Sequence, residues 1–397
     1  MAIYNKNSDE VTSAYDFSGN ELDFAYDING NVCHTKTAGY YEEIFFGYVN
    51  DYIAEYGLFI DGEPATREEI TEWMLNRNNC KYRGKLSKSG KYLLDKNGDY
   101  FNLQGIGTHH LIQYANLHTF NSLKVLKYCG INCVRMSAYL NDHYFTYSDG
   151  QLAKGYLTIP VSTKNEMDSI IEHCCELGLY VLVDWHVWSG GGETLNTSYA
   201  VDFFKYFAQK YANCDNVLYE LANEPFSDSL VDIIRHCKET SDAIKTYVTN
   251  PIMVCGVRSF TNGAVELYNA LQAENIDDIF ISQHRYSGGA SLSTFEAWWE
   301  SGIPLFITEW SNTSASTGTQ SDMNITDGNN FLNFFHQNHI PNCIWKFTDQ
   351  TMAYSALANR GTINNSYYSN GAVRENDFSA YGKFFFDRYG TYMFGDD

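Results

Sequence analysis

Two short stretches hold a glutamate in the setting that acid–base chemistry needs. Leu218-Tyr219-Glu220-Leu221-Ala222-Asn223-Glu224-Pro225 reads as a buried strand that stops in a carboxylate, with an amide before it and a proline after it. Proline fixes its own φ and cannot donate a ladder hydrogen bond, so the strand ends there and Glu224 is left at the rim. Ile303-Pro304-Leu305-Phe306-Ile307-Thr308-Glu309-Trp310 repeats the design further along the chain and presents Glu309. A glutamate at a strand end is where an α/β enzyme places a catalytic acid. Two of them suit acid–base or nucleophilic work on a glycosidic bond.

Elements able to bring the two together alternate along most of the chain. Apolar runs predict strands at Phe101–Gly107, Asn132–Ala138, Tyr180–Trp185, Val217–Ala222, Ile252–Val257, Ile279–Gln283, Leu305–Thr308 and Cys343–Phe347. Amphipathic helical patterns fill the intervals, among them Asn165–Leu177, Leu230–Val248, Phe295–Ser301 and Asn330–Asn338, with Phe378–Tyr389 closing the chain. Eight strand–helix units is the count of an α/β (β/α)8 TIM barrel. No Gly-rich phosphate fingerprint follows the first strand, which excludes a dinucleotide-binding doubly wound sheet. The barrel is expected over residues 85–397, with 1–84 a small α-rich N-terminal accessory segment. Tyr40–Tyr56 has helical periodicity, and Thr66-Arg67-Glu68-Glu69 makes a capping box for a helix to about Asn76. Asp27–Asn31 reads as a turn rather than a calcium loop, because its glycine comes early and no ligating glutamate follows. A hairpin of Leu86–Asp95 with Asp99–Gln104 around Asn97-Gly98 is expected to cap the barrel bottom.

Composition narrows the partners. A formal charge of −21 excludes nucleic acid, whose phosphates need clustered Lys and Arg, and disfavours anionic membranes and acidic polysaccharides. A neutral polymer or a small molecule is left as the partner, and a content of 31 Tyr allows aromatic faces for a sugar-binding cleft as well as for the core. No run approaches the roughly 18 apolar residues of a membrane span. The ten cysteines show no CxxC pair or metal-ligand spacing, so Cys129, Cys133, Cys174-Cys175 and Cys255 are expected as buried thiols. No metal or other cofactor is expected, and the protein is expected to be a monomer.

The polar residues at the expected strand ends are His109, Arg135, Asp184-Trp185-His186, Asn223 with Glu224, His284 with Tyr286, Glu309 and Trp345. Each alone has a packing explanation; in a barrel all of them converge on one mouth. With Tyr139, these motifs resemble, in order and spacing from about Lys85 to Gly390, glycoside hydrolase family 5, nearest to its bacterial endoglucanases.

The resemblance implies a retaining double displacement. Glu309 would attack the anomeric carbon while Glu224 protonates the leaving oxygen; Glu224 would then deprotonate the hydrolytic water. Arg135 would hold Glu309 ionised, Tyr286 would be its hydroxyl partner, and His284 would orient Glu224, whose pKa the charge of Glu309 would help raise. Asn223 would bind the sugar 2-hydroxyl. His109, Tyr139, His186 and Trp345 would line the sugar subsites, with Tyr114 and Trp188 as further cleft aromatics. Gln350 stands where the endoglucanases carry a sugar-binding lysine, and the Gly190-Gly191-Gly192 loop is unusual. The implied reaction is endo-hydrolysis of β-1,4-glucosidic bonds in cellulose or mixed-linkage glucan; β-mannan, xyloglucan or xylan are the alternatives under the same mechanism. The rivals are a metal hydrolase using the histidines, which lack any HxH pair, and a catalytically silent polysaccharide-binding barrel. A polymeric substrate implies an extracellular or cell-surface location.

Overall fold

Eight parallel strands alternate with eight helices in the computed structural model. It describes residues 40–146, 152–187, 195–225, 228–257, 263–276, 278–314, 323–349, 354–357 and 377–395, with four short strands before residue 35. The strands are β1 (Gln104–Gly107), β2 (Cys133–Tyr139), β3 (Tyr180–His186), β4 (Val217–Ala222), β5 (Met253–Gly256), β6 (Ile279–Ser282), β7 (Ile307–Trp310) and β8 (Asn342–Trp345). They pair in parallel in the order β6-β5-β4-β3-β2-β1-β8-β7. Bridges from Ile281 to Leu305 and from Arg285 to Trp310 join β6 to β7 and bring the sheet round on itself. The helices are α1 (Phe120–Tyr128), α2 (Pro160–Leu177), α3 (Thr197–Lys210), α4 (Leu230–Lys245), α5 (Gly263–Ala273), α6 (Leu292–Glu300), α7 (Ile325–Gln337) and α8 (Ala380–Phe394). Several begin at a side-chain cap that satisfies an otherwise orphaned amide, as Thr119, Ser229, Ser291 and Ser379 do. This is the expected (β/α)8 barrel.

Strand alternation sorts the side chains. Outward residues such as Val181, Val183, Tyr219 and Leu221 pack under the helices in the large outer core. Inward residues near the strand starts, Cys133, Tyr180, Leu182, Leu218, Phe280, Phe306 and Cys343, form a separate apolar plug with Leu86, Leu93, Phe101 and Leu103. A meander supplies those last side chains. Ser87–Ser89 pairs with Tyr92–Leu94, and Leu94 bridges to Tyr100 across the Asn97-Gly98 turn. Asp95 holds that turn by accepting from the amides of Asn97 and Asp99. The expected cap is therefore built from two successive turns, because Leu86–Asp95 is itself a hairpin folded at Gly90.

Residues before the barrel are less purely helical than expected. Two short antiparallel pairs, Ala2–Tyr4 with Val11–Ala14 and Phe24–Tyr26 with Val32–His34, precede helices Tyr40–Tyr56 and Arg67–Asn76. The second helix carries the expected capping box between Thr66 and Glu69. Phe45, Phe46, Val49, Ile70 and Met74 share a core with Met393 and Phe394 of α8. Lys127 of α1 ties the segment down by donating to Asn76 and to the last carbonyl of α2. Cys129, Cys133, Cys174 and Cys255 are buried free thiols, but Cys175 is exposed. Consecutive helical residues differ by about 100° in direction, so the pair Cys174-Cys175 could not face inward together. The turn at Asp27–Asn31 lies outside the described residues.

Candidate active site

Two irregularities aim the carboxylates. Between β4 and β5, Glu220 lies opposite Val254 but Ala222 opposite Cys255, so β4 carries one extra residue. Between β7 and β8, Ile307 lies opposite Asn342 and Trp310 opposite Ile344. Such bulges turn a strand locally and redirect the side chains beyond them. In β7, Thr308 and its neighbour Glu309 both reach the hydrogen-bonded interior network, which strict alternation would forbid. The sequence reading stopped that strand at Thr308; it runs through Glu309 to Trp310.

Arg135 is the hub. Its fork donates to both oxygens of Glu220, at 2.6 and 3.1 Å, and to Glu309 Oε2 at 3.1 Å. It also donates to Asn223 Oδ1 and lies 3.0 Å from Asp184 Oδ2. Burial opposes its charge, yet the carboxylates of Asp184, Glu220 and Glu309 raise its pKa further, so the cation is permanent. One cation among that many buried carboxyls leaves some of them better off protonated. Burial pushes Asp184 up to about 7 against the pull of Arg135. Glu220 is raised by burial as well, but the two-pronged contact with Arg135 holds it ionised.

The two glutamates sit in unlike surroundings. Glu309 receives Arg135 on one oxygen and the Tyr286 hydroxyl on the other. Glu224, just past the end of β4, meets no guanidinium among the described residues; His284 Nδ1 lies 2.7 Å from its Oε1. Burial first, then the charge of Glu220, pushes Glu224 up to about 7 against Arg135. The source of that push differs from the expected one, which was Glu309. Glu309 has Arg135 and Tyr286 against its carboxylate, whereas Glu220 sits on the same strand as Glu224. His284 is held neutral chiefly by burial. Glu224 and Glu309 bring an oxygen each to within 4.8 Å, with a nitrogen of His284 inside the same limit. That trio is the one group of metal-type donors among the described residues. All three side chains also take part in hydrogen bonds, Glu309 with Arg135 and Tyr286 and Glu224 with His284.

Around this pair lie aromatic rings. Trp345 stands parallel to His186, at 6° and 5.7 Å between ring centres, and His186 Nδ1 contacts Asp184 at 2.6 Å. Tyr139 packs on His186 and shares a hydrogen bond with His109 Nδ1 at 2.9 Å. Room for Trp345 comes from β1: a Cβ on Gly107 would lie 2.8 Å from its ring. Tyr114 is buried and stacks on His109, so it backs that ring rather than standing free in a cleft. Trp310 is core, enclosed by Phe331, Phe335 and Phe385, with its indole N–H given to Asn342. Trp188, Gly190–Gly192 and Gln350 fall outside the described residues.

Four participants carry no role in the sequence analysis, although it places Asp184 at the mouth: Asp184 and Glu220 against Arg135, Thr308 against Glu220 and His284, and Lys346 beside Trp345 and Tyr354. For three of them a signal existed. Arg135, Asp184, Glu220 and Thr308 each stand two places after an inward apolar residue (Cys133, Leu182, Leu218, Phe306), in the same phase of the strand. A cavity of about 610 Å³ also opens on the opposite face of the barrel, lined by Trp73, Arg83, Tyr100 and His339 among others, and none of the carboxylates described above borders it.

A (β/α)8 barrel with two glutamates close together at the carboxyl ends of its strands is the arrangement that retaining glycoside hydrolases use. The chain is a member of glycoside hydrolase family 5: a family model described as cellulase (glycosyl hydrolase family 5) matches residues 94–351. An endoglucanase of Clostridium saccharobutylicum is 27% identical over 283 residues, 70% of this chain and 60% of its own length. Endoglucanase E-5 of Thermobifida fusca is 26% identical over 276 residues, 67% of this chain and 56% of its own. The chain therefore spans little more than half the length of these curated relatives. Among solved structures, the catalytic domain of Thermobifida fusca endoglucanase Cel5A in complex with cellotetraose superposes with a TM-score of 0.66 at 23% identity, covering 78% of this chain and 98% of that one. At that identity the likeness speaks for the fold.

Proposed function

We propose that this protein hydrolyses internal β-1,4-glucosidic bonds of cellulose or mixed-linkage β-glucan by a retaining double displacement. The observation that carries the reading is the close approach of two glutamates with opposite surroundings, one facing a guanidinium and a phenol, the other a neutral imidazole. One oxygen of each lies within 4.8 Å of one oxygen of the other. Retaining enzymes hold the two carboxyls about 5–5.5 Å apart, whereas inverting enzymes leave about 6.5–9.5 Å for a water.

Glu309 acts as nucleophile, aimed by the hydrogen bonds it accepts from Arg135 and Tyr286. Glu224, buried and raised to about 7, protonates the departing oxygen. Once Glu224 has given up its proton, its carboxylate is in place to take one from the hydrolytic water as base. Asn223 faces the sugar 2-hydroxyl, and Trp345, His186, His109 and Tyr139 form the subsite wall. Endoglucanase relatives support a β-glucan as the substrate, and such a polymer implies action outside the cell or at its surface. Among the described residues no helix is long and apolar enough to cross a membrane. Residues 85–397 are proposed as the catalytic unit, acting as a monomer, with 1–84 an accessory segment.

The test is release of reducing ends from soluble β-glucan, carboxymethylcellulose, mannan and xylan, run beside Glu309→Gln. Release from a glucan that is nearly abolished in the variant is expected. Preference for mannan or xylan would replace the substrate assignment, and equal activity in both proteins would remove Glu309 from its role.

A further inference from the structure

Thr308 stands at a junction that the mechanism above leaves unused. Its Oγ1 contacts Glu220 Oε1 at 2.6 Å, Ser282 Oγ at 2.7 Å and His284 Nε2 at 3.1 Å. All four residues are buried, so every hydrogen in the cluster must be accounted for. Glu220 accepts Arg135 on both oxygens and, as a carboxylate, can only accept. The single hydrogen of Thr308 is therefore committed to Glu220. Toward Ser282 and His284 it shows only lone pairs, and both must donate to it. Ser282 is free to do so, because its own oxygen accepts the Thr308 amide at 3.1 Å.

The consequence falls on His284. A neutral imidazole carries one N–H; if that hydrogen sits on Nε2 and points to Thr308, Nδ1 is a bare acceptor. Nδ1 is the atom 2.7 Å from Glu224 Oε1, so the hydrogen in that contact has to come from the Glu224 carboxyl. We propose that Glu220 and Thr308 are positioning residues that fix the Nε2–H tautomer of His284, and thereby hold Glu224 in its protonated form in the free enzyme. This rests on Glu224 being the general acid. After Glu224 has passed its proton to the leaving oxygen, its carboxylate faces a lone pair, an arrangement that favours taking a proton from the water of the second step. Proton balance over the cycle is unchanged: one proton leaves with the first product and one returns from water.

The groups that face the Glu224–His284 pair are Arg135 and Tyr139 from β2, Asp184 from β3, Glu220 from β4, and Thr308 and Glu309 from β7, with Tyr286 following β6. Burial and Glu220 raise Glu224; the tautomer adds to them because it denies the carboxylate a donor.

The experiment compares the alkaline limb of kcat/KM on soluble β-glucan in wild type, Thr308→Val and Thr308→Ser, with Glu224→Gln alongside. Without the hydroxyl, His284 is free to place its hydrogen on Nδ1 and donate to Glu224. The limb of Thr308→Val is then expected to move about one pH unit lower, while Thr308→Ser retains the wild-type position. An unmoved limb in Thr308→Val, with Glu224→Gln inactive, would overturn the relay and leave the acid assignment standing. A Glu224→Gln protein with the wild-type profile would overturn both. Should Thr308→Val fail to fold, ring-nitrogen NMR of histidine-labelled wild type, with His284 assigned by difference from His284→Asn, decides the matter. Hydrogen on Nε2 is expected; hydrogen on Nδ1 contradicts the proposal.

Discussion

At the floor of the barrel Leu182, Leu218 and Phe306 face inward among apolar neighbours. Two residues further along the same strands, Asp184, Glu220 and Thr308 occupy the same inward phase around or beside Arg135. Floor and mouth thus share a geometry and differ in chemistry. The floor needs only apolar volume, and a meander plugs it with Leu86, Leu93 and Phe101. The mouth holds fully buried charges, which are tolerable only where each is paired and hydrogen-bonded. Alternation decides where a side chain points. The bulges in β4 and β7 then redirect the side chains beyond them, and Glu309 joins the network beside Thr308.

The contrast can be broken from either end. Glu309→Gln keeps the shape of the mouth and removes the nucleophile. It is expected to lower kcat on the order of 10³-fold or more with little change in melting temperature, read by reducing-end assay and calorimetry. A large loss of stability instead would mean that Glu309 serves the fold. Leu93→Ala at the floor should do the reverse. Its side chain is fully buried, so the cavity is expected to cost about 2–5 kcal/mol in denaturant unfolding, while kcat of the folded protein stays at the wild-type value.

Smaller effects sharpen the comparison. Glu224 and Asp184 are both held up to about 7. The first half-reaction needs Glu224 protonated, so kcat/KM is expected to fall as pH rises through about 7. Stability follows the same direction. Between the ordinary carboxyl range and about pH 7 the folded protein holds protons that the unfolded chain has released, so unfolding free energy decreases as pH rises through that window. A pH-independent melting temperature there would contradict the buried, protonated mouth. Gly107→Ala, finally, pushes a methyl against Trp345. Overpacking of about 1–3 kcal/mol at the ring proposed to face the sugar is expected to raise KM roughly tenfold and change kcat less. An unchanged KM would show that Trp345 contributes little to binding.

Much of this could be read in the chain. The alternation of apolar runs and helical patterns is a local signal, and it placed β4 to the residue and the other strands within a few positions. His109, Arg135, Asn223, Glu224, His284, Tyr286, Glu309 and Trp345 were assigned to one mouth because parallel strands end on one side, and the structure brings them there. Contacts among them were less legible. Arg135 was paired with Glu309 alone, yet most of its bonds go to Glu220, Asp184 and Asn223. A polar residue inside an apolar run carries no mark of its partner across the barrel. Bulges were invisible for a related reason: an extra residue in one strand shows only against the register of its neighbour. Tyr114 is a cleft candidate by residue type alone, because sequence carries no depth; in the fold it is buried and stacks on His109.

The double displacement is tested most directly by the configuration of the first product. Proton NMR during early hydrolysis of soluble β-glucan, before mutarotation, should show the β-anomer of the new reducing end. The α-anomer appearing first would mean direct attack by water, and Glu309 could not then be the nucleophile.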